Sequence, residues 1–102
     1  MGVSPLTPEG KTKAKIKRVL DRYGDELWRY MPVPGGYGKQ ALDYVCCYRG
    51  YFFTIEAKRK GGRPTEKQLG TMDDVRAAGG TVFVIDDDTS ELEAWLSTIV
   101  ST

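Results

Sequence analysis

The stretch Leu42-Asp43-Tyr44-Val45-Cys46-Cys47-Tyr48-Arg49-Gly50-Tyr51-Phe52-Phe53-Thr54-Ile55-Glu56-Ala57-Lys58 decides the fold. Two runs rich in β-branched and aromatic residues flank the short turn at Arg49-Gly50, the pattern of a β-hairpin. A symmetric turn sets Tyr48 opposite Tyr51, Val45 opposite Thr54 and Asp43 opposite Glu56. A three-residue loop would slip the pairing by one and part the two acids, unless a bulge restored it. Arginine is disfavoured at the left-handed first position of a two-residue type I′ turn. A four-residue connection over 48–51 keeps the symmetric register without that demand.

Upstream of the hairpin, Thr7-Pro8-Glu9 reads as a helix start, with Thr7 as N-cap and Pro8 in the first turn. Ile16, Val19, Leu20 and Tyr23 then recur at helical spacing as a buried stripe, and Gly24 fits a C-terminal cap. The other faces of this helix carry Lys11, Lys13, Lys15, Lys17, Arg18 and Arg22. Residues 27–33 read as a strand near a sheet edge, because Pro32 and Pro34 cannot donate ladder bonds. The glycine-rich loop that follows is no phosphate-binding P-loop, since Gly38-Lys39 leads into Gln40 and a strand.

Downstream, Arg59-Lys60-Gly61-Gly62-Arg63 is a basic loop. Thr65 and Gln68 have capping-box spacing, and Leu69, Met72, Val75 and Ala78 supply the apolar side of a helix that Gly79-Gly80 ends. Thr81-Val82-Phe83-Val84-Ile85 reads as a buried strand, and residues 90–100 as a last helix with Leu92, Trp95, Leu96 and Ile99 inside. Asp86-Asp87-Asp88 lacks the glycine and distal glutamate of a calcium loop, so it reads as capping by Asp88 or Ser90. Helix, strand, hairpin, helix, strand, helix in that order predicts an α/β (α+β) fold with a mixed sheet, whose last two strands are joined by a βαβ crossover.

At 102 residues, 40% hydrophobic and 28% charged, the chain is expected to form one domain over 1–102 around one modest core. Its longest apolar runs are strand-sized, and its polar N-terminus has no signal-like apolar region, so an intracellular protein without a membrane partner is expected. Cys46 and Cys47 are adjacent, a spacing unsuited to a loop-closing disulfide or a zinc ribbon. There is no histidine, which removes the Ser-His-Asp arrangement, Cys-His dyads and histidine general bases. Carboxylates, lysine and hydroxyls remain as catalysts, and no motif calls for an organic cofactor. The near-zero net charge of +1 hides an asymmetry. Lys and Arg outnumber Asp and Glu about two to one over residues 1–63, and the balance reverses beyond, a hint of a polyanionic partner.

In the symmetric register Asp43 and Glu56 are cross-strand neighbours, where like charges repel. Lys58 returns to the same face by the strand's period of two. A divalent cation would resolve the repulsion, and its bound water would become a nucleophile that Lys58 could orient or deprotonate. Alternatively the three charges form an exposed salt-bridge cluster worth about 0–1 kcal/mol. Their setting, at the ends of runs that are apolar on both faces, favours the first reading.

Asp43 followed at a distance by Glu56-Ala57-Lys58 matches the D-x(n)-E-x-K signature. The run from Gly38 through Tyr48–Lys58 to Pro64-Thr65-Glu66-Lys67-Gln68 resembles the VRR-NUC branch of the PD-(D/E)xK nuclease superfamily, particularly short stand-alone phage-type members. The resemblance covers about Thr7 to Asp86. It implies a restriction-endonuclease-like αβββαβ core with a four-stranded sheet flanked by helices, a Mg²⁺ or Mn²⁺ site, and hydrolysis of DNA phosphodiester bonds, often in branched or junction DNA. It casts Asp43 and Glu56 as metal ligands, the Ala57 carbonyl as a third and Lys58 as the catalytic lysine. Gln68 matches a helix glutamine that supports the active site, though it also serves as capping partner of Thr65. Glu9 matches a first-helix acid that reaches the metal, though an acid there also complements the helix dipole. Leu42 departs from the family by replacing a proline.

Lys11, Lys15, Lys39, Arg59, Lys60, Arg63 and Lys67 are the expected phosphate contacts, with Tyr37 beside them. A monomer this small covers little DNA, so a two-fold homodimer is expected. Trp28, Tyr30 and Tyr44 read as its face if exposed and as core if buried. The expected setting is the cytoplasm of a bacterium or phage-infected host. The rival reading is a non-catalytic nucleic-acid-binding or assembly module that keeps the nuclease fold.

Overall fold

In the computed structural model, residues 7–33 and 42–99 are described. Thr7 caps the first helix, α1 (Pro8–Asp21), its hydroxyl accepting from the Gly10 amide at 3.0 Å. The helix buries Thr12, Ile16, Val19 and Leu20. It ends before Gly24, which at φ +56 instead opens a single 3-10 turn, Gly24–Glu26. That turn feeds β1 (Leu27–Tyr30), shorter than the 27–33 expected.

The remaining elements are β2 (Tyr44–Tyr48), β3 (Tyr51–Ala57), α2 (Glu66–Ala77), β4 (Thr81–Ile85) and α3 (Ser90–Thr98). The sheet order is β1-β2-β3-β4, antiparallel except for the parallel β3/β4 pair that α2 connects. This is the four-stranded mixed sheet with flanking helices that the pattern predicts. The edge position of β1 agrees with its trailing prolines. Among the described residues no helix is long and apolar enough to cross a membrane.

The hairpin has the symmetric register, from Tyr48↔Tyr51 to Tyr44↔Ile55. It is made by the turn the residues disfavour, with Arg49 at φ +51 and Gly50 at φ +87. Side-chain contacts hold Arg49 there. Its guanidinium donates to Glu26 Oε2 at 2.6 Å and to the Tyr48 hydroxyl at 3.3 Å, and lies over the Tyr48 ring.

One sheet face carries Tyr44, Cys46, Tyr48, Phe53, Ile55, Ala57, Phe83 and Ile85, and packs with Ile16, Val19, Leu20, Leu92 and Leu96 as the core. Trp95 of α3 meets Phe53 and Phe83 edge-on, with centroids 5.2 and 5.4 Å away. Each large side chain buried here contributes roughly 1.5–3 kcal/mol. Tyr44 is thus core, not dimer face.

The opposite face carries Trp28, Tyr30, Val45, Cys47, Phe52, Thr54, Glu56, Val82 and Val84, by alternation from the paired residues. Helix α2 covers only part of it. Gln68 and Met72 are its buried residues, while Leu69 and Ala78, both expected on its apolar side, are exposed. Strand β4 is not buried on both faces as its composition suggests. It forms the sheet's second edge, and Val84 is exposed. Trp28 and Tyr30 stand uncovered on β1, their rings nearly parallel at 6.3 Å. Asp88 accepts from the Ser90 amide at 2.9 Å at the start of α3, but the N-cap position falls on Thr89, which makes no side-chain cap bond, rather than on the expected Asp88 or Ser90.

Candidate active site

The C-terminal end of β3 brings the polar residues together. Glu56 is the residue most at odds with its surroundings, a carboxylate only 3% exposed. Burial pushes its carboxyl above the usual range. The charge of Asp43 adds to that effect, and Lys58 opposes it. Such a group persists only if its oxygens are satisfied. Oε2 accepts from Gln68 Nε2 at 2.7 Å and lies 3.2 Å from Lys58 Nζ, while Oε1 accepts from the Asp43 amide at 3.2 Å.

Asp43 sits one residue before β2, on a bend that buried Leu42 anchors. Its Oδ2 accepts from the Ala57 amide at 2.8 Å. The two acids therefore meet as the hairpin register predicts, although the ladder itself stops at Tyr44↔Ile55. Nearby Tyr44 has its phenol pushed up to about 12 by burial first and by Asp43 second.

Both readings of Gln68 hold at once, because its two side-chain atoms are divided between them. Oε1 accepts from the Thr65 amide at 2.9 Å, and the Gln68 amide donates to Thr65 Oγ1 at 3.2 Å, closing the capping box. Nε2 is left to bond Glu56. The cap thus fixes the residue that fixes the acid.

Glu9 is not gathered beside the two acids. Its Oε2 lies 3.8 Å from Lys13 Nζ, which in turn lies 3.8 Å from Asp43 Oδ1. Among the described residues no three acidic or cysteine side chains form a metal-holding group. Lys13 is the site residue that reading the sequence for function misses, since on a lysine-rich helix it looks like one more solvated charge. The available signal is its i,i+4 spacing from Glu9.

The basic residues divide. Lys15 is tied to Asp87 by an ion pair and to the Asp87 carbonyl at 3.4 Å, so its charge is already matched. Arg59, Lys60, Arg63, Lys67 and Lys11 are exposed, and among the described residues none forms an ion pair. The Gly61 amide donates to Asp86 Oδ2 at 3.3 Å and fastens the basic loop to the end of β4, next to β3, the strand of Glu56. Lys39 and Tyr37 lie outside the described residues.

The donor set fits a hard divalent cation. Two carboxylates are bonded to one another's strand, one is buried against the other's charge, and among the described residues Asp43 Oδ1 accepts no hydrogen bond. The Asp43 and Glu56 carboxylates and the Ala57 carbonyl would hold such an ion. Comparison with protein-family models gives no match for the chain, and comparison with curated proteins gives none.

Proposed function

We propose that the chain is a Mg²⁺- or Mn²⁺-dependent endonuclease that hydrolyses DNA phosphodiester bonds, selective for branched or junction structures, of the VRR-NUC type within the PD-(D/E)xK superfamily. The observation that carries this reading is the buried Glu56 carboxylate set against partly buried Asp43, with Lys58 Nζ 3.2 Å from Glu56. A structural salt bridge has no need of a second carboxylate beside a desolvated one, and an acid perturbed as Glu56 is belongs to the kind that clusters at functional sites.

A bound divalent ion would supply Lewis-acid activation and water of lowered pKa. The chain's own residues supply the rest. Gln68 keeps Glu56 in one rotamer, and the Ala57 amide does the same for Asp43. Lys58, 14% exposed, can face both an attacking water and the charge developing on phosphorus. Arg59, Lys60 and Arg63, on the loop after β3, and Lys67, in the first turn of α2, serve in this reading as phosphate contacts, with Lys11 on α1. The substrate structure rests on the family resemblance alone.

The reading carries a cytoplasmic setting and a two-fold homodimer. Trp28, 57% exposed, and Tyr30 occupy a face whose neighbours Val45, Cys47 and Phe52 are uncharged, which suits a second copy better than a phosphate backbone.

Cleavage assays on labelled single-strand, flap, junction and duplex DNA with Mg²⁺ or Mn²⁺ test the proposal. Wild type should cut at least one structure, and Lys58→Ala should lose about 10²–10⁴-fold in rate. DNA binding without metal-dependent cleavage of any structure would favour the non-catalytic module.

A further inference from the structure

We propose that Lys13 is a resident counter-cation of the candidate metal site, and that Glu9 serves as the place to which its ammonium retires when a divalent ion binds Asp43. The inference rests on the metal-dependent reading above. It departs from the family expectation that Glu9 is itself a ligand.

The geometry consists of one ammonium and two carboxylates. Lys13 Nζ stands 3.8 Å from Asp43 Oδ1 and 3.8 Å from Glu9 Oε2. Asp43 Oδ1 is the oxygen that no hydrogen-bond donor among the described residues occupies. A Mg²⁺ ion ligated by that oxygen sits about 2.1 Å from it, so it lies within roughly 6 Å of the ammonium whatever its direction. Lys13 and Asp43 are both partly buried, which limits screening of that repulsion. The ammonium and the ion therefore compete for Asp43.

Glu9 decides where the displaced charge goes. It lies one turn before Lys13 on the same face of α1, and it is the more exposed of the two partners. A small rotamer change moves Nζ from between the acids to Glu9 alone. In this arrangement Glu9 and Lys13 are positioning residues that set metal affinity without touching the ion. Lys58 differs in kind, because its partner Glu56 is buried and it has no second acid among the described residues to which it can withdraw.

Calorimetric Mn²⁺ titration of chelator-treated protein tests the proposal directly. Lys13→Met should tighten the Mn²⁺ Kd by about 5-fold, at the low end of couplings between linked sites. Glu9→Gln alone should weaken binding, because the retired ammonium loses its partner. Glu9→Gln added to Lys13→Met should change nothing further. If Glu9 is instead a ligand, it weakens binding equally in both backgrounds, and the proposal falls. Unchanged or weaker affinity in Lys13→Met also overturns it while leaving the metal reading intact. Failure of both wild type and Lys13→Met to bind Mn²⁺ overturns the metal reading and this inference together. Binding by Lys13→Met alone supports the competition.

Discussion

Asp43 and Glu56 are tied to each other's strand by two hydrogen bonds running in opposite directions. The Asp43 amide donates to Glu56 Oε1 at 3.2 Å, and the Ala57 amide, next along from Glu56, donates to Asp43 Oδ2 at 2.8 Å. Side chains thus take over where the backbone ladder stops, and each acid is aimed by the chain that carries the other.

Asp43→Ala should abolish saturable Mn²⁺ binding while leaving the fold intact. The substitution leaves the Ala57 amide without its acceptor, a loss of about 1 kcal/mol for a neutral bond and more for a charged one. It also removes the charge that pushes Glu56 up. The two effects oppose, so the melting temperature should move little. Circular dichroism melts beside calorimetric titration check this. A collapse of the fold would mean that Asp43 is structural.

Glu56 makes a pH prediction whose sign follows from its displaced titration. Burial, and then Asp43, raise its carboxyl above the ordinary 4.5, a value to which it returns on unfolding. Between those two values the folded state holds more protons than the unfolded chain, so its contribution to stability falls as pH rises through that interval. Asp21, Asp87, Asp88 and Glu93 are lowered by partners and act oppositely: their contributions are present above their ordinary values and lost as pH falls. The comparison of wild type with Glu56→Gln isolates the first effect. Without metal, Glu56→Gln should melt higher than wild type at pH 8, with the gap closing towards pH 4. Saturating Mn²⁺ should reverse the order at pH 8 by stabilising wild type alone.

The hairpin register, the helix starts and the element order were legible because they rest on local chemistry, namely period, caps and turns. The coverage of faces was not. Whether Val84 is buried depends on β4 lying at the sheet's edge, which no residue of β4 encodes. Leu69 looks apolar-side by spacing, yet α2 turns Gln68 and Met72 to the sheet, because Gln68 must reach Glu56. The turn at Arg49 was misleading in a different way, since the contacts that hold it come from Glu26 and Tyr48. Of the site, Asp43, Glu56 and Lys58 follow from strand period. Lys13 depends on how α1 docks, which its lysine-rich surface does not reveal.

Gln68 allows its two tasks to be separated. Glutamate also serves at the third position of a capping box, so Gln68→Glu should keep the cap with Thr65. It cannot donate to Glu56, and it sets a third carboxylate beside the pair. Gln68→Ala loses the bond to Glu56 and the acceptor for the Thr65 amide, a lost neutral hydrogen bond of about 1 kcal/mol, while its backbone amide still donates to Thr65. Nuclease activity should therefore fall in both variants, by about 10- to 100-fold as for residues that orient metal ligands. Helix stability should fall only in Gln68→Ala. Amide hydrogen exchange over residues 66–77 distinguishes them, and equal loss of protection in both would refute the division.

Arg49 offers a test of what holds the register itself. Its left-handed φ of +51 is one that asparagine and glycine adopt more readily than arginine. Against this stand the contacts with Glu26 and Tyr48, which lie at an exposed hairpin end where ion pairs contribute little. The backbone term should win. Arg49→Asn, giving the Asn-Gly pair that two-residue turns favour, should raise the melting temperature by about 2–4 °C and leave Mn²⁺ binding unchanged, since the pairing between Tyr44 and Ile55 is preserved. Glu26→Gln should then cost stability in wild type but nothing in Arg49→Asn. A lower melting temperature for Arg49→Asn would show that the guanidinium's contacts, not the turn's backbone preference, keep Asp43 opposite Glu56.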